Sequence, residues 1–315
     1  MNRDDSPGKS AGLTRRDVLR LALAAAAAAV GPATGAEKPK TLLRRAIPRT
    51  GELLPVIGMG SWLTFDVGSD AAARAVRLKV LQAFFDRGGA IVDSSPMYGS
   101  SEEVIGYCLK QIENKSALFA ATKVWIYGQW LGERQMEASR ELWGVQRFDL
   151  MQIHNMLDWE SHLETLKAWK AEGRIRYLGI TTSHGRRHEA LEKAMAKEPF
   201  DFVQFTYNID DREAERRLLP LAAERGMAVI ANRPFQGGGL FRRVQGKPLP
   251  DWAREFDCES WAQFFLKFVV SHPAVTCAIP ATSKVKHLED NMQAGLGRLP
   301  DAAMRAKMAQ LVSQL

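Results

Sequence analysis

Between Leu54 and Ser283 the chain alternates eight short apolar runs with longer amphipathic segments. The runs are LPVIGMGSW, GAIVDSS, ALFAATKVW, FDLMQIHN, RIRYLGITT, FDFVQFTYN, GMAVIANRPF and AVTCAIPATS. The segments between them are built from helix formers, and several end at glycine, as helices often do. DAAARAVRLKVLQAFFDRG, for example, places Ala75, Leu78, Leu81 and Phe85 on one face and stops at Gly88. Eight strand–helix units predict an α/β fold, a closed (β/α)8 TIM barrel. The apolar strand centres fit parallel strands covered on both faces. An open doubly wound sheet would need a glycine fingerprint after its first strand, and IGMGSWLTF offers Gly58-x-Gly60 without a third glycine.

Two additions flank the barrel. LLRRAIPRTGELLPVIG reads as two short strands around Thr50-Gly51, a β-hairpin cap on the barrel bottom. Asp301 to Leu315 reads as an extra C-terminal helix.

Residues 1–36 read as a signal peptide ahead of a barrel spanning 37–315. Arg15-Arg16 precede a weakly hydrophobic, alanine-rich run from Leu21 to Val30, and small residues close it near Ala33 to Ala36. Paired arginines before such a run resemble the twin-arginine type of export signal, which predicts a periplasmic protein that meets the membrane only during export. Of the 43 Lys/Arg and 36 Asp/Glu, five and three lie in this leader, so the remainder carries a mild +5. That charge, with no basic stripe interleaved with aromatics, argues against a nucleic-acid partner. Three widely spaced cysteines, Cys108, Cys258 and Cys277, do not form a disulfide framework or a zinc pair and read as buried thiols. Oligomeric state is not written in the sequence.

A barrel puts its chemistry at the carboxyl ends of its strands. The second strand ends in Asp93 with Tyr98 in the following loop, the third gives Lys123, the fourth His154 and the sixth Gln204. An acid, a phenol, an amine and an imidazole would therefore converge on one face. A tyrosine is a poor proton donor at neutral pH, and a neighbouring ammonium lowers its pKa; a shift of about three units corresponds to roughly 4 kcal/mol. A buried ammonium needs a counter-ion, which Asp93 supplies. Such a set delivers a proton to an oxygen on which negative charge grows, which is half of a carbonyl reduction. No side chain supplies the hydride, so a cofactor is required. Glu102 reads as an ordinary first-turn acid of the next helix.

At these residues the chain resembles the aldo-keto reductases. The likeness rests on the acid–phenol spacing Asp93-x-x-x-x-Tyr98, on ATKVW and on QIHN, and it runs from about Arg44 to the end. It implies a (β/α)8 barrel that binds NADPH without a Rossmann fold. It implies Tyr98 as general acid/base, Lys123 and Asp93 as its tuning pair, and His154 as the residue that orients the substrate. By the same resemblance Gly60 and Ser61 approach the nicotinamide, with Asp93 nearby, and Thr181, Thr182 and Gln204 meet its carboxamide. The chain departs from the family in ANRPFQGGGL, where Asn232 replaces the ring that stacks on nicotinamide and Arg233 follows. Arg233, Pro234, Phe235 and Gly238 then face the cofactor, the glycine run covering the pyrophosphate. Thr282, Ser283, Lys284, His287 and Asn291 fall on the positions that hold the adenosine end. Lys284 or Lys286 would read a 2′-phosphate, so NADP is favoured with NAD left open.

The resemblance implies an oxidoreductase that reduces an aldehyde, ketone or sugar carbonyl to an alcohol, or runs the reverse. Its alternative is a cofactor-holding redox sensor or accessory subunit on the same barrel. Loops carrying Trp62, Trp125, Trp130, Trp159 and Trp252 point to an apolar or sugar-stacking pocket, or to aromatic packing between loops.

Overall fold

The computed structural model describes residues 42–183, 185 and 187–315. Residues 1–36, where the sequence suggests an export signal, lie outside the described residues. The chain opens with an antiparallel hairpin, β1 (Arg44–Ala46) and β2 (Leu53–Pro55), with Arg44 opposite Pro55 and Ala46 opposite Leu53. Gly51, at φ +75°, makes the turn in the left-handed region that glycine enters freely.

Eight parallel strands follow: β3 (Met59–Gly60), β4 (Ile91–Asp93), β5 (Phe119–Val124), β6 (Phe148–Ile153), β7 (Ile175–Thr181), β8 (Phe202–Thr206), β9 (Ala228–Asn232) and β10 (Cys277–Ala278). They pair in chain order. Bridges from Ile57 to Ala278 and from Gly60 to Ala281 join the two ends, so the sheet closes. Gly58 N–H to Ala278 O at 2.9 Å and Gly60 N–H to Pro280 O at 3.0 Å belong to the same seam.

The helices on the outside are α1 (Ala71–Asp86), α2 (Ser101–Leu109), α3 (Gln129–Trp143), α4 (Trp159–Ala171), α5 (His188–Lys197), α6 (Leu218–Glu224), the short α7 (Gly239–Arg243), α8 (Trp261–Val270), α9 (Val285–Gln293) and α10 (Ala302–Ser313). Helix α1 starts at Asp70, whose side chain accepts from Ala73 N–H. Its core face is Val80, Leu81, Phe84 and Phe85; Leu78 is half-buried and Ala75 exposed, one notch away from the face expected at the start of the helix. The segment REAERRLLPLAAERG is not one helix: a 3-10 turn at Glu213–Glu215 precedes α6. Pro220 sits in the first turn of α6, where its missing N–H costs nothing, and its ring bars the helix from extending backwards. Helix α2 presses against α3 at Gly106, where a Cβ would stand 1.8 Å from Leu142 O.

Strand side chains alternate in and out with period two, and this separates two cores. Ile91, Phe119, Leu150, Tyr177, Phe202 and Ile230 belong to the cluster inside the barrel, capped from below by Ile47 and Leu54 of the hairpin. Val92, Ala120, Met151, Leu178, Val203 and Val229 belong to the cluster that meets the helices. The hairpin is fastened by Arg45, whose guanidinium donates to Val270 O at 2.7 Å and to the carbonyls of His272 and Val275 at the carboxyl end of α8. Helix α10 is fastened by Arg305, which donates to Glu215 Oε1 at 2.8 Å and lies 4.3 Å over the Phe268 ring. All three cysteines are buried and free. Among the described residues no helix is long and apolar enough to cross a membrane.

Candidate active site

Two to four residues further along the strands, the inward positions change character. Above the apolar layer come Asp93, Lys123, Gln152, Thr181, Gln204 and Asn232, and the strand pairing sets Lys123 beside Gln152 and Thr181 beside Gln204. Of these, Asp93, Thr181, Gln204 and Asn232 line a cavity of about 580 Å³ at the carboxyl end of the barrel, while Lys123 and Gln152 are buried and are not among its lining residues. Tyr98 and His154 stand on its wall, their rings edge-on at 5.6 Å between centroids.

Lys123 lies beneath this wall, fully buried. Its Nζ donates to Asp93 Oδ2 at 2.6 Å and to Ser94 O at 2.7 Å, and stands 5.1 Å from the Tyr98 ring centroid. Burial pulls the Lys123 pKa down, but the charges of Asp93 and Tyr98 outweigh it and leave the ammonium held above its ordinary value. The second Asp93 oxygen accepts from Gln152 Nε2 at 2.9 Å and Gln204 Nε2 at 3.1 Å. The buried acid is thus fully paired, as a buried ion pair requires.

Tyr98 corrects an expectation. Its pKa is raised, not lowered: burial pushes it up, the Lys123 ammonium opposes that, and Asp93 adds to the rise. Tyr98 is therefore a protonated phenol at neutral pH, with the Lys123 ammonium close to its ring. Burial, and after it the charge of Lys123, pushes His154 down to about 2, so its imidazole is neutral.

Glu102 is a second correction. It is buried and accepts from Thr122 Oγ1 at 2.5 Å, Ser139 Oγ at 2.8 Å and Trp143 Nε1 at 3.2 Å. Burial raises its pKa against those three donors. It ties α2 to α3 and β5 on the outer side of the barrel and is no solvated helix-start acid.

The cavity gathers most of the residues singled out in the sequence. Gly60, Ser61, Asp93, Tyr98, His154, Thr181, Thr182, Gln204, Asn232, Arg233, Pro234, Phe235 and Gly238 line it. Thr282, Ser283, Lys284, His287 and Asn291 are not among its lining residues, which end at Ala281. Thr282 accepts Lys284 N–H at 3.2 Å ahead of α9, Asn291 is buried, and Lys284 and His287 are exposed. Of the loop tryptophans, Trp62 lines the cavity and Trp125 lies 6.4 Å from the His154 ring; Trp252 packs against Phe256 and Phe264 instead.

Among the residues at the site that the sequence did not single out, three make polar contacts that shape it. Gln152 holds Asp93 from the strand position two before His154, which the period-two rule puts on the same face. Ser95 Oγ lies 2.7 Å from His154 Nδ1. Asn155 lines the cavity at φ +53° and donates its N–H to Thr181 Oγ1 at 3.0 Å.

Comparison with known proteins accords with this arrangement. The sequence model described as the Aldo/keto reductase family matches residues 56–309, most of the chain. The chain belongs to the aldo/keto reductase family. It is thereby an oxidoreductase of that family, as its buried Asp93–Lys123 pair beside Tyr98 already indicated. It is 26% identical over 244 residues to the methylglyoxal reductase YeaE of Escherichia coli, covering 76% of this chain and 84% of that protein. Among solved structures it is similar to the thermostable aldo-keto reductase Tm1743, crystallised with the inhibitor epalrestat, with a TM-score of 0.72, 25% identity and coverage of 86% of this chain and 100% of that one. It also shares its fold with an aldo/keto reductase from Klebsiella pneumoniae in complex with NADP and acetate, with a TM-score of 0.71, 24% identity and coverage of 83% and 93%.

Proposed function

We propose that this aldo/keto reductase reduces an aldehyde or ketone with NADPH, with Tyr98 as the proton donor. The observation that carries the reading is the buried Asp93–Lys123 pair set under a cavity-facing phenol.

The residues present fit a nicotinamide cofactor. Thr182 Oγ1 is buried on the cavity wall and has no hydrogen-bond partner among the described residues. Asn232, on the same wall, donates to Thr182 O at 3.0 Å. Thr182, with Gln204 and Asn232, would hold the carboxamide. Gly237 and Gly238 take left-handed φ angles of +61° and +87°, and a Cβ on either would stand 3.8 Å from the guanidinium of Arg233 or Arg242. This open, cation-flanked turn would hold the pyrophosphate. Exposed Lys284 and Lys286 would meet a 2′-phosphate, and the similar Klebsiella pneumoniae protein is itself an NADP complex. When bound, the cofactor supplies the hydride that no side chain can.

The chain's own part is to place and protonate the carbonyl. His154 and Tyr98 face the same space, so both reach one oxygen. The Tyr98 hydroxyl gives its proton to that oxygen as charge develops there. Lys123 then faces the phenolate, and Asp93 keeps the ammonium charged and in place. Trp62, Leu63, Met97 and Phe241 line the cavity, give an apolar carbonyl substrate a place to rest and displace water. Titrating the purified protein with NADPH and NADH and following nicotinamide fluorescence tests the cofactor assignment. Tighter binding of NADPH, weakened by Lys284→Ala and Lys286→Ala together, is expected; equal binding of the two cofactors would remove the 2′-phosphate assignment.

The pKa directions fix a pH profile. Because Tyr98 is raised, kcat/KM for reduction should stay level through neutral pH and fall only in the alkaline range, beyond where an ordinary tyrosine titrates, as the phenol loses its proton. Because His154 lies near 2, no inflection should appear near pH 6.5. A limb at that pH would show His154 titrating during turnover.

Export belongs to the same reading. Arg15-Arg16 and the following alanine-rich run support delivery to the periplasm by a twin-arginine-type route. Replacing both arginines with lysine should leave the protein in the cytoplasmic fraction; unchanged periplasmic recovery would contradict it.

A further inference from the structure

His154 has two ring nitrogens, and among the described residues only Nδ1 has a hydrogen-bond partner, Ser95 Oγ at 2.7 Å. Ser95 lies two residues beyond Asp93 and is fully buried. Its oxygen also accepts the backbone N–H of Met97 at 3.2 Å. The hydroxyl proton must therefore go elsewhere, and His154 Nδ1 is the one acceptor the described residues place within reach. Were Nδ1 protonated, two N–H groups would point at the serine oxygen while its O–H stayed buried without an acceptor. Buried hydroxyls are nearly always paired, so the bonds run from Met97 N–H to Ser95 Oγ, and from Ser95 O–H to His154 Nδ1. A neutral imidazole that accepts at Nδ1 carries its own proton on Nε2.

We propose that Ser95 is a positioning residue that fixes His154 as the Nε2–H tautomer and so presents a neutral hydrogen-bond donor to the substrate carbonyl. The carbonyl part rests on the reductase reading; the tautomer part stands on the serine's geometry alone. It also gives the two wall residues separate tasks. His154, too hard to protonate to serve as an acid, donates a hydrogen bond that it keeps. Tyr98 donates a proton that it loses. With the other tautomer, a lone pair on Nε2 would face the carbonyl lone pairs and repel them.

The test is long-range proton–nitrogen correlation NMR on nitrogen-15-labelled protein, with the His154 ring assigned by its loss in His154→Gln. The wild type should show a protonated Nε2 and an unprotonated Nδ1 at neutral pH. Ser95→Ala should populate both tautomers and lower kcat/KM for an aldehyde about 10- to 100-fold, with the cofactor dissociation constant unchanged. Ser95→Thr, which keeps the hydroxyl, should restore both. A wild-type ring protonated on Nδ1 would overturn the proposal, as would a Ser95→Ala ring that stays purely Nε2–H. The spectrum decides the serine's role without turnover, so its failure is distinguishable from a failure of the reductase reading, which turnover of the wild type decides.

Discussion

Tyr98→Phe should lower kcat for carbonyl reduction about 10²- to 10⁴-fold, the range over which a positioned general acid acts. That corresponds to roughly 3–5 kcal/mol of barrier. The cofactor dissociation constant should change little, because the lost atom serves the carbonyl oxygen and the hydride donor is held by other residues. The variant separates the phenol from its surroundings: Lys123 keeps Asp93 and Ser94, and His154 keeps Ser95, whether or not the hydroxyl is present. Steady-state kinetics with one aldehyde, alongside a cofactor titration, read both quantities. A variant that keeps more than a tenth of wild-type kcat would take Tyr98 out of the proton-donor role.

Lys123→Met should destabilise the fold by about 3–5 kcal/mol, because it leaves Asp93 as a buried carboxylate with no counter-ion. The amide donors Gln152 and Gln204 remain on one oxygen, while the oxygen that faced Lys123 at 2.6 Å loses its partner. Adding Asp93→Asn to the same chain should recover a large part of the loss, since a neutral amide needs no ammonium. Urea unfolding of the two single variants and the double variant measures the coupling directly. Additive losses would mean that the pair does not act as a unit. Activity should be lost in all three, because the phenolate formed at Tyr98 has no properly held cation beside it.

The barrel was legible because parallel strands covered on both faces announce themselves as apolar runs, and Thr50-Gly51 marks the hairpin turn. The eighth run gave a strand of only two residues, Cys277–Ala278, since Pro280 follows and offers no N–H to a ladder. Asp93, Lys123 and His154 could be found from their shared place at strand ends. Gln152 was hidden because a strand glutamine is unremarked until one counts back two positions from His154. Glu102 was misread because an acid in a first helical turn is common. Its burial depends on Thr122, Ser139 and Trp143, which lie 20, 37 and 41 residues away. The direction of the Tyr98 shift was missed for a similar reason. Sequence shows that an ammonium will be near, but the depth of burial that outweighs it is a property of the packed barrel.

The most direct measurement is a single turnover. The purified protein, loaded with one equivalent of NADPH, is mixed rapidly with excess aldehyde while absorbance of the reduced nicotinamide is followed. Expected are loss of the whole reduced band, one equivalent of alcohol formed, and a rate cut by Tyr98→Phe as given above. A protein that binds NADPH tightly yet leaves it reduced in the presence of every aldehyde and ketone offered would contradict carbonyl reduction and favour a cofactor-holding sensor on the same barrel.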